Sequence, residues 1–447
     1  MRTKPDQEDR EGRKFLRRSA DKGVLAGVAA RTAEHFAFDV HAKPVRDKLA
    51  AAAVTCALLG AAGTLSFGAT SASASQPGRN TVTLGAALGG DLNRYLADRR
   101  TAEHISAVSL RVTFPGSRPP ISLATGTTRY DGGPPVAAGA LWPIGSNTKA
   151  FTAVVLLQLE AEGKLSISDR IGRWLPQYPA WSHVTIRQLL DMTSRIPDYL
   201  YQPAFAAAFA ADQGTRFTAA RLVSYVAGLP LGPAGYHYSN TDYILAQMII
   251  QKVTHDAYAD QLTHRIITPL RLSTTCLAPY TCPAADVGRV PAGYFYIAAG
   301  PPSLMGKAMP PLGLTWAQAA GGIVSSLADM TTWDRDLYEG RLLPARQQRE
   351  LEDLVSQATG KPILRTTLAD PLGYGLGVAQ GIFPGPTGNF WYYEGQAFGA
   401  RVLQMYFPRS GMIIALAVNS STFNDHLSDL AGSVYQTLQE AGAASTG

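Results

Sequence analysis

Residues 142–153 read Trp142-Pro143-Ile144-Gly145-Ser146-Asn147-Thr148-Lys149-Ala150-Phe151-Thr152-Ala153. A Gly-led turn enters an apolar helix here, with a hydroxyl at Ser146 and an amine at Lys149. Side chains at i and i+3 project from one helix face. A serine hydroxyl is a poor nucleophile until a base takes its proton, and a partly desolvated lysine can be that base. The helix N-terminus adds positive potential and free N–H groups near the reacting oxygen. The chemistry indicated is acyl transfer through a serine ester.

The pattern alone does not decide the matter. Ser19-Ala20-Asp21-Lys22 repeats Ser-x-x-Lys in a charged stretch with no catalytic setting. An N-cap serine followed by a solvated lysine would give the same letters. The rest of the chain has to discriminate.

At 447 residues the chain has room for two or three average domains, or one large catalytic domain with an insertion. Its 46% hydrophobic and 17% charged residues are those of a globular protein with ample core material. Residues 1–74 carry 12 basic and 8 acidic side chains of the chain's 40 and 34. That leaves 28 and 26, a net of +2 out of +6, so no nucleic-acid-binding surface is indicated.

Residues 1–48 form a charged extension. Within 49–74 the apolar run Leu49–Gly63 follows Lys43, Arg46 and Lys48 and precedes Ala72-Ser73-Ala74, an A-x-A cleavage pattern. This reads as a secretory signal peptide, too short for a span of ~20 residues. The expected location is extracytoplasmic, with no stable membrane insertion of the mature chain; an uncleaved segment would instead act as an anchor. Cys276 and Cys282 flank a Pro-containing loop and read as one short-range disulfide outside the cytoplasm. No His or second Cys pair stands near them, so no metal is assigned.

The body, 75–447, begins with an amphipathic helix over Leu88–Arg100. Alternating stretches at Ile105–Phe114 and Ile121–Tyr130 then predict a strand pair around Pro115-Gly116-Ser117-Arg118-Pro119-Pro120. The Ser146 helix ends near Gly163, a C′ glycine. From roughly 164 to 370 the segments are mainly helical, including Thr185–Ser194 and Asp242–Thr254, with Pro203–Ala211 an Ala/Phe-rich turn or helix, and 283–315 is an irregular region suited to lining a pocket. Strands return at Asn389–Tyr393, Gly399–Phe407 and Met412–Asn419, before a terminal helix over Asp425–Ala441. Strands at both ends with helices inserted predict one α+β body carrying a helical subdomain.

Two further stretches bear on the chemistry. In Tyr236-His237-Tyr238-Ser239-Asn240, a tyrosine beside Ser146 and Lys149 could relay protons, and Asn240 could hold the lysine and donate to a substrate carbonyl. In Tyr393-Glu394-Gly395-Gln396, Gly395 permits close approach of substrate backbone. The N–H of Gln396 could pair with that of Ser146 as an oxyanion hole, ~3 kcal/mol of barrier per donor. Tyr338-Glu339-Gly340 repeats the latter triplet elsewhere, so it too is weak alone.

Together and in this order, the three stretches resemble the serine β-lactamase and DD-carboxypeptidase superfamily, in particular its class C β-lactamase, carboxypeptidase and esterase branch. Leu189-Leu190-Asp191-Met192-Thr193-Ser194, Gly321-Gly322-Ile323-Val324-Ser325-Ser326 and Tyr374-Gly375-Leu376-Gly377-Val378 are similar as well. The resemblance runs from about 90 to 440. It implies an antiparallel sheet flanked by N- and C-terminal helices, with an all-helical subdomain and the site between them. It makes Ser146 the acylated nucleophile, Lys149 its base or proton partner, and Tyr238 a general acid or base. Asn240, Tyr393, Gly395 and Gln396 would bind substrate. No metal or organic cofactor is implied. The expected substrate is a small peptide, β-lactam or ester, with cell-wall peptidoglycan as a partner.

Two positions depart from the pattern. Tyr393 stands where a Lys or His is usual, and a neutral phenol cannot pair with a carboxylate. Arg401 could supply the missing cation, although a solvent-facing arginine is the plainer reading. Arg195 stands where a glycine is frequent. The primary expectation is therefore a D-Ala-D-Ala carboxypeptidase-like or β-lactamase-related hydrolase. An esterase or amidase on uncharged substrates and a non-catalytic penicillin- or peptidoglycan-binding protein are the alternatives. No Gly-x-Ser-x-Gly elbow occurs, and the histidines show no metal-type spacing.

Overall fold

Met412–Val418 is apolar at every position, as a strand covered on both faces must be. In the computed structural model, which describes residues 77–383, 387–423 and 425–443 with side chains from residue 84 onward, it is the third strand from one edge of a nine-stranded antiparallel sheet. The charged extension, the signal-like segment and Ser19–Lys22 fall outside the described residues.

The sheet strands in chain order are β1 (Ala107–Thr113), β2 (Ile121–Gly126), β3 (Leu354–Ser356), β4 (Pro362–Ile363), β5 (Gly373–Tyr374), β6 (Ala379–Phe383), β7 (Gly388–Ala397), β8 (Ala400–Phe407) and β9 (Met412–Val418). Their spatial order is β2-β1-β9-β8-β7-β6-β5-β3-β4. The predicted hairpin is β1–β2, in the register Val112↔Ile121, and β1 closes onto β9 with Val108↔Val418. The first and last strands of this sheet in chain order thus pair with each other, second and third from one edge.

Side-chain alternation sorts two cores. Met412, Ile414, Leu416 and Val418 face the terminal helices α1 (Pro77–Arg99) and α5 (Leu427–Glu440), joining Leu84, Leu88, Leu92, Leu430 and Val434. Ile413, Ala415 and Ala417 face the other way, toward α2 (Thr148–Ala161), α3 (Asn240–Thr254) and α4 (Leu327–Tyr338). Small alanines there let α4 lie close. Phe151 of α2 stacks on Trp333 of α4 at 3.7 Å, a contact worth about 1 kcal/mol beyond its area.

The segment expected to be all helical also carries strands. Ile323–Ser326 pairs with Leu141–Pro143 and Cys276–Leu277, Gly293–Phe295 pairs with Ala308–Met309, and β3 and β4 extend the main sheet. These strands are two to four residues long, too short for their alternation to register in the sequence. Cys276 and Cys282 form a disulfide with Cα atoms 4.9 Å apart. Among the described residues no helix is long and apolar enough to cross a membrane.

Candidate active site

α2 is buried around nearly its whole circumference, from Thr148 to Leu157, so it runs through the interior instead of along the surface. Three side chains fix its entry. Asn147 donates through Nδ2 to the carbonyls of Ile144 (2.8 Å) and Val402 (3.0 Å). Thr148 Oγ1 accepts from the Ile323 N–H, and Thr152 Oγ1 donates to the Ala319 carbonyl. Ser146 itself lies in a 3₁₀ turn, Gly145–Asn147, just before the helix. The tighter turn eclipses i and i+3, which aligns Ser146 with Lys149.

Lys149 has no exposed surface, so the solvated-lysine reading does not describe this pair. Its Nζ donates to Ser146 Oγ (3.0 Å), Asn240 Oδ1 (2.8 Å) and the Ala320 carbonyl (2.8 Å). Burial lowers its pKa to about 7, against the opposing pull of Asp198 and Asp242. Asn240 is itself held: its Nδ2 and backbone N–H both donate to Asp198 Oδ2, at 2.7 and 3.0 Å. Burial raises the pKa of Asp198, and raises that of Asp242, which accepts from Ser194 Oγ, well above the carboxylate range.

Tyr238 lies within hydrogen-bond reach of Ser146, and its ring centroid is 4.7 Å from Lys149 Nζ. Burial raises its pKa above the ordinary tyrosine value. Its hydroxyl is 3.3 Å from that of Tyr393, which is 2.8 Å from that of Tyr374. Next door, His237 is exposed and contributes only its backbone N–H, to Met192.

β7 and the nucleophile turn are pressed together backbone to backbone. Pairing of β6 with β7 ends at Ala379↔Tyr392, which frees the β7 edge from Tyr393 onward. A β-carbon at Gly395 would lie 2.0 Å from the Ile144 carbonyl oxygen and 2.8 Å from the Ser146 nitrogen. One at Gly145, which has φ +52°, would lie 2.7 Å from the Gln396 nitrogen. Only glycine fits either position, and the Ser146 and Gln396 amides are neighbours as a result. The structure therefore gathers Ser146, Lys149, Tyr238, Asn240, Tyr393, Gly395 and Gln396 in one place.

A buried lysine bonded to a serine hydroxyl thus lies between a helical layer and the stretch of β7 left unpaired by β6. The Beta-lactamase family model matches residues 92–438. The chain belongs to the beta-lactamase family. Penicillin-binding protein 4* of Bacillus subtilis is 26% identical over 257 residues, 54% of this chain, and the chain spans about half (53%) of that relative's length. A D-stereospecific amidohydrolase from Streptomyces superposes with a TM-score of 0.66 and 25% identity, covering 78% of this chain and 98% of the other. D-amino acid amidase from Ochrobactrum anthropi SV3 gives 0.67 at 24% identity, covering 80% and 99%, and shares the fold.

Within this beta-lactamase family fold, Arg401, the candidate replacement for the cation missing at Tyr393, and Arg195, the second departure, have distinct outcomes. Arg401 neither faces solvent nor approaches Ser146. Register places it opposite Gln396, so it points to the terminal-helix face of the sheet. There it is fully buried, bonded to Glu103 Oε2 (2.7 Å), Asp425 and the Ser420 carbonyl. Arg195 takes φ +66°, the left-handed region that favours glycine, and its carbonyl accepts from the Gly232 N–H.

Asp198, Tyr374 and the Ala320 carbonyl were not assigned from sequence. Tyr374 and Ala320 lie in or beside phrases already noted, Tyr374–Val378 and Gly321–Ser326. Asp198 follows Leu189–Ser194 by four residues and carries no pattern of its own.

Proposed function

We propose that this chain is an exported serine hydrolase that cleaves amides or esters through an acyl-enzyme on Ser146. The observation that carries the reading is the buried Lys149 bonded to Ser146 Oγ, with a pKa near neutrality. Neutral Lys149 takes the Ser146 proton as Oγ adds to the acyl carbon, and the carbonyl electron pair moves onto oxygen. The Ser146 and Gln396 N–H groups stabilise that oxyanion. Lys149 then returns the proton to the leaving group as its bond breaks, and water repeats the sequence on the ester. Tyr238 holds its proton too firmly to serve as a phenolate base near neutral pH, so it acts as a neutral hydrogen-bond partner of Ser146.

The substrate class follows from the third position. Tyr393 is buried and its phenol is pushed well above its ordinary pKa, chiefly by burial, and Arg401 is committed on the other face. Neither offers a cation to a substrate carboxylate. This favours neutral amides and esters over a free C-terminal D-Ala-D-Ala carboxylate, and the name of the Streptomyces neighbour, an amidohydrolase, supports amide cleavage. Export rests on the signal-like segment at 49–74.

The test is intact-mass analysis of the mature chain and Ser146→Ala after exposure to a fluorophosphonate and, separately, a penicillin. A Ser146-dependent fluorophosphonate adduct with a weaker or absent penicillin adduct is expected. No Ser146-dependent adduct with either would favour the non-catalytic binding reading.

A further inference from the structure

A neutral lysine amine carries two hydrogens and one lone pair. Asn240 Oδ1 and the Ala320 carbonyl oxygen, each 2.8 Å from Lys149 Nζ, can only accept, so they take both hydrogens. The lone pair is left facing Ser146 Oγ at 3.0 Å. When Oγ bonds to the acyl carbon, its proton moves to Nζ and the carbonyl electron pair moves onto oxygen. A positive charge then sits on a side chain with no exposed surface. A buried charge without a partner is costly, so the acylation barrier depends on what faces that ammonium.

Two buried carboxyls lie behind the amine, and their partners differ in kind. Asp198 Oδ2 accepts from the Asn240 side-chain and backbone N–H groups (2.7 and 3.0 Å), and Oδ1 accepts from the Leu200 N–H (2.9 Å). A protonated carboxyl would need an acceptor for its O–H, and all three partners are donors. Asp242 instead meets one hydroxyl twice, Ser194 Oγ at 2.7 and 2.8 Å. A hydroxyl has one proton, so the second contact closes when the Asp242 carboxyl itself donates. Ser194 Oγ then accepts from that O–H and from the Ile196 N–H (3.0 Å), and donates to the other Asp242 oxygen. Burial raises the pKa of both acids, well above the carboxylate range for Asp242, where Asp198 and Asp191 add repulsion. The Asn240 and Leu200 donors and Lys149 pull Asp198 back.

We infer that Asp198 is the buried counter-ion of the Lys149 ammonium, acting through the Asn240 amide, and that Asp242 stands beside it as a neutral acid. Asp198 touches no reacting atom and is a positioning residue. The remaining titratable groups around Nζ and Asp198 are the phenols of Tyr238, Tyr243, Tyr393 and Tyr199, all kept neutral by burial. The inference rests on the reading of Lys149 as the base of a Ser146 acyl transfer.

The test is the pH–rate profile of p-nitrophenyl butyrate hydrolysis by the mature chain, with acylation resolved in the pre-steady state. Asp198→Asn removes the charge and keeps the shape. The ammonium then loses its counter-ion, so the rising limb is expected to move to lower pH, by about one unit. The weaker base should also lower the high-pH plateau, by about tenfold. A purely structural disturbance acts in the opposite direction, because water entering around Lys149 would restore its ordinary pKa and move the limb up. Asp242→Asn exchanges one neutral group for another and should move the limb less than half as far. An upward or absent shift in Asp198→Asn, or an equal downward shift in Asp242→Asn, would overturn the inference. Carbon-13 NMR of the parent and Asp242→Asn, labelled at the aspartate carboxyls, keeps it testable should Asp198→Asn not fold. Asp242→Asn should delete the resonance of a carboxylic acid near neutral pH; deletion of a carboxylate resonance would sink the assignment. Hydrolysis that survives Ser146→Ala would overturn the acyl-transfer reading and the inference with it. Ser146-dependent hydrolysis whose limb ignores Asp198→Asn would overturn the inference alone.

Discussion

Lys149 Nζ and Asn240 Oδ1 meet at 2.8 Å, and this bond fixes which way the Asn240 amide faces. Its oxygen is held by the lysine and one Nδ2 hydrogen by Asp198, leaving the second hydrogen for a substrate. Asn240→Leu removes a Lys149 acceptor and leaves buried Asp198 with one fewer donor. Activity should fall about a hundredfold on any acyl substrate, with a stability loss of about 1–3 kcal/mol. Steady-state kinetics and urea unfolding measure the two separately.

The pKa of Lys149 sets the pH behaviour. The neutral amine is the base, so the rate should rise with pH through about 7 and level off above it. Lys149→Arg cannot lose its proton and should lower kcat by a factor of about a thousand. Asn240→Asp places a carboxylate beside the ammonium, favours the charged form, and should move the rising limb to higher pH. Stability follows the same group. Between about 7 and the unfolded value near ~10.4 the unfolded chain binds the extra proton, so this lysine makes stability rise with pH across that window. Lys149→Met should flatten that slope.

Local signals in the sequence were enough for the frame. The β1–β2 hairpin, the α2 helix ending before Gly163 and the C-terminal meander all rest on periodicity, turn residues and caps, while Pro203–Ala211, open between turn and helix in the sequence, is a helix. The role of Arg401 was not legible, because it depends on Glu103 and Asp425, far away in sequence and brought near by the sheet closing between chain ends. The meeting of the Tyr238, Tyr393 and Tyr374 hydroxyls was equally hidden. Tyr238, Tyr374 and Tyr393 come from three separate segments, and nineteen tyrosines give no hint which hydroxyls meet.

Replacing the phenol at 393 tests the substrate reading. Tyr393→His puts an ionisable group beside Tyr238 and removes the bond to Tyr374. On p-nitrophenyl esters the rate should fall. On acyl donors bearing a free carboxylate the ratio of kcat/KM to that of the neutral ester should rise about tenfold, near the worth of one charge-assisted bond. An unchanged ratio would mean that Tyr393 does not select against carboxylates.

Gly395→Ala tests the contact between β7 and the nucleophile turn. The new methyl would overlap the Ile144 carbonyl and crowd Asn147 Nδ2, 2.6 Å away, and neither can yield without shifting the Ser146 turn. Fluorophosphonate labelling should be nearly abolished. Thermal unfolding should show a loss beyond the 1–3 kcal/mol usual for overpacking, since backbone must move.

Arg401 is the last case, because it separates structure from recognition. Its guanidinium faces Glu103, which Arg99 also approaches at 3.8 Å, together with Asp425 and the neighbouring Glu394, whose pKa is raised well above the carboxylate range by burial and by Asp425. Removing one partner of a buried ion pair leaves uncompensated charge, at about 3–5 kcal/mol. Arg401→Met should therefore lower unfolding stability by that amount near neutral pH. Protonation of the orphaned carboxylates would relieve the repulsion, so the deficit should shrink as pH falls toward 5. Selectivity between carboxylate-bearing and neutral substrates should stay within twofold of the parent, because the side chain lies on the far face of the sheet from Ser146. A selective loss on carboxylate substrates, without a stability deficit, would return Arg401 to the binding site.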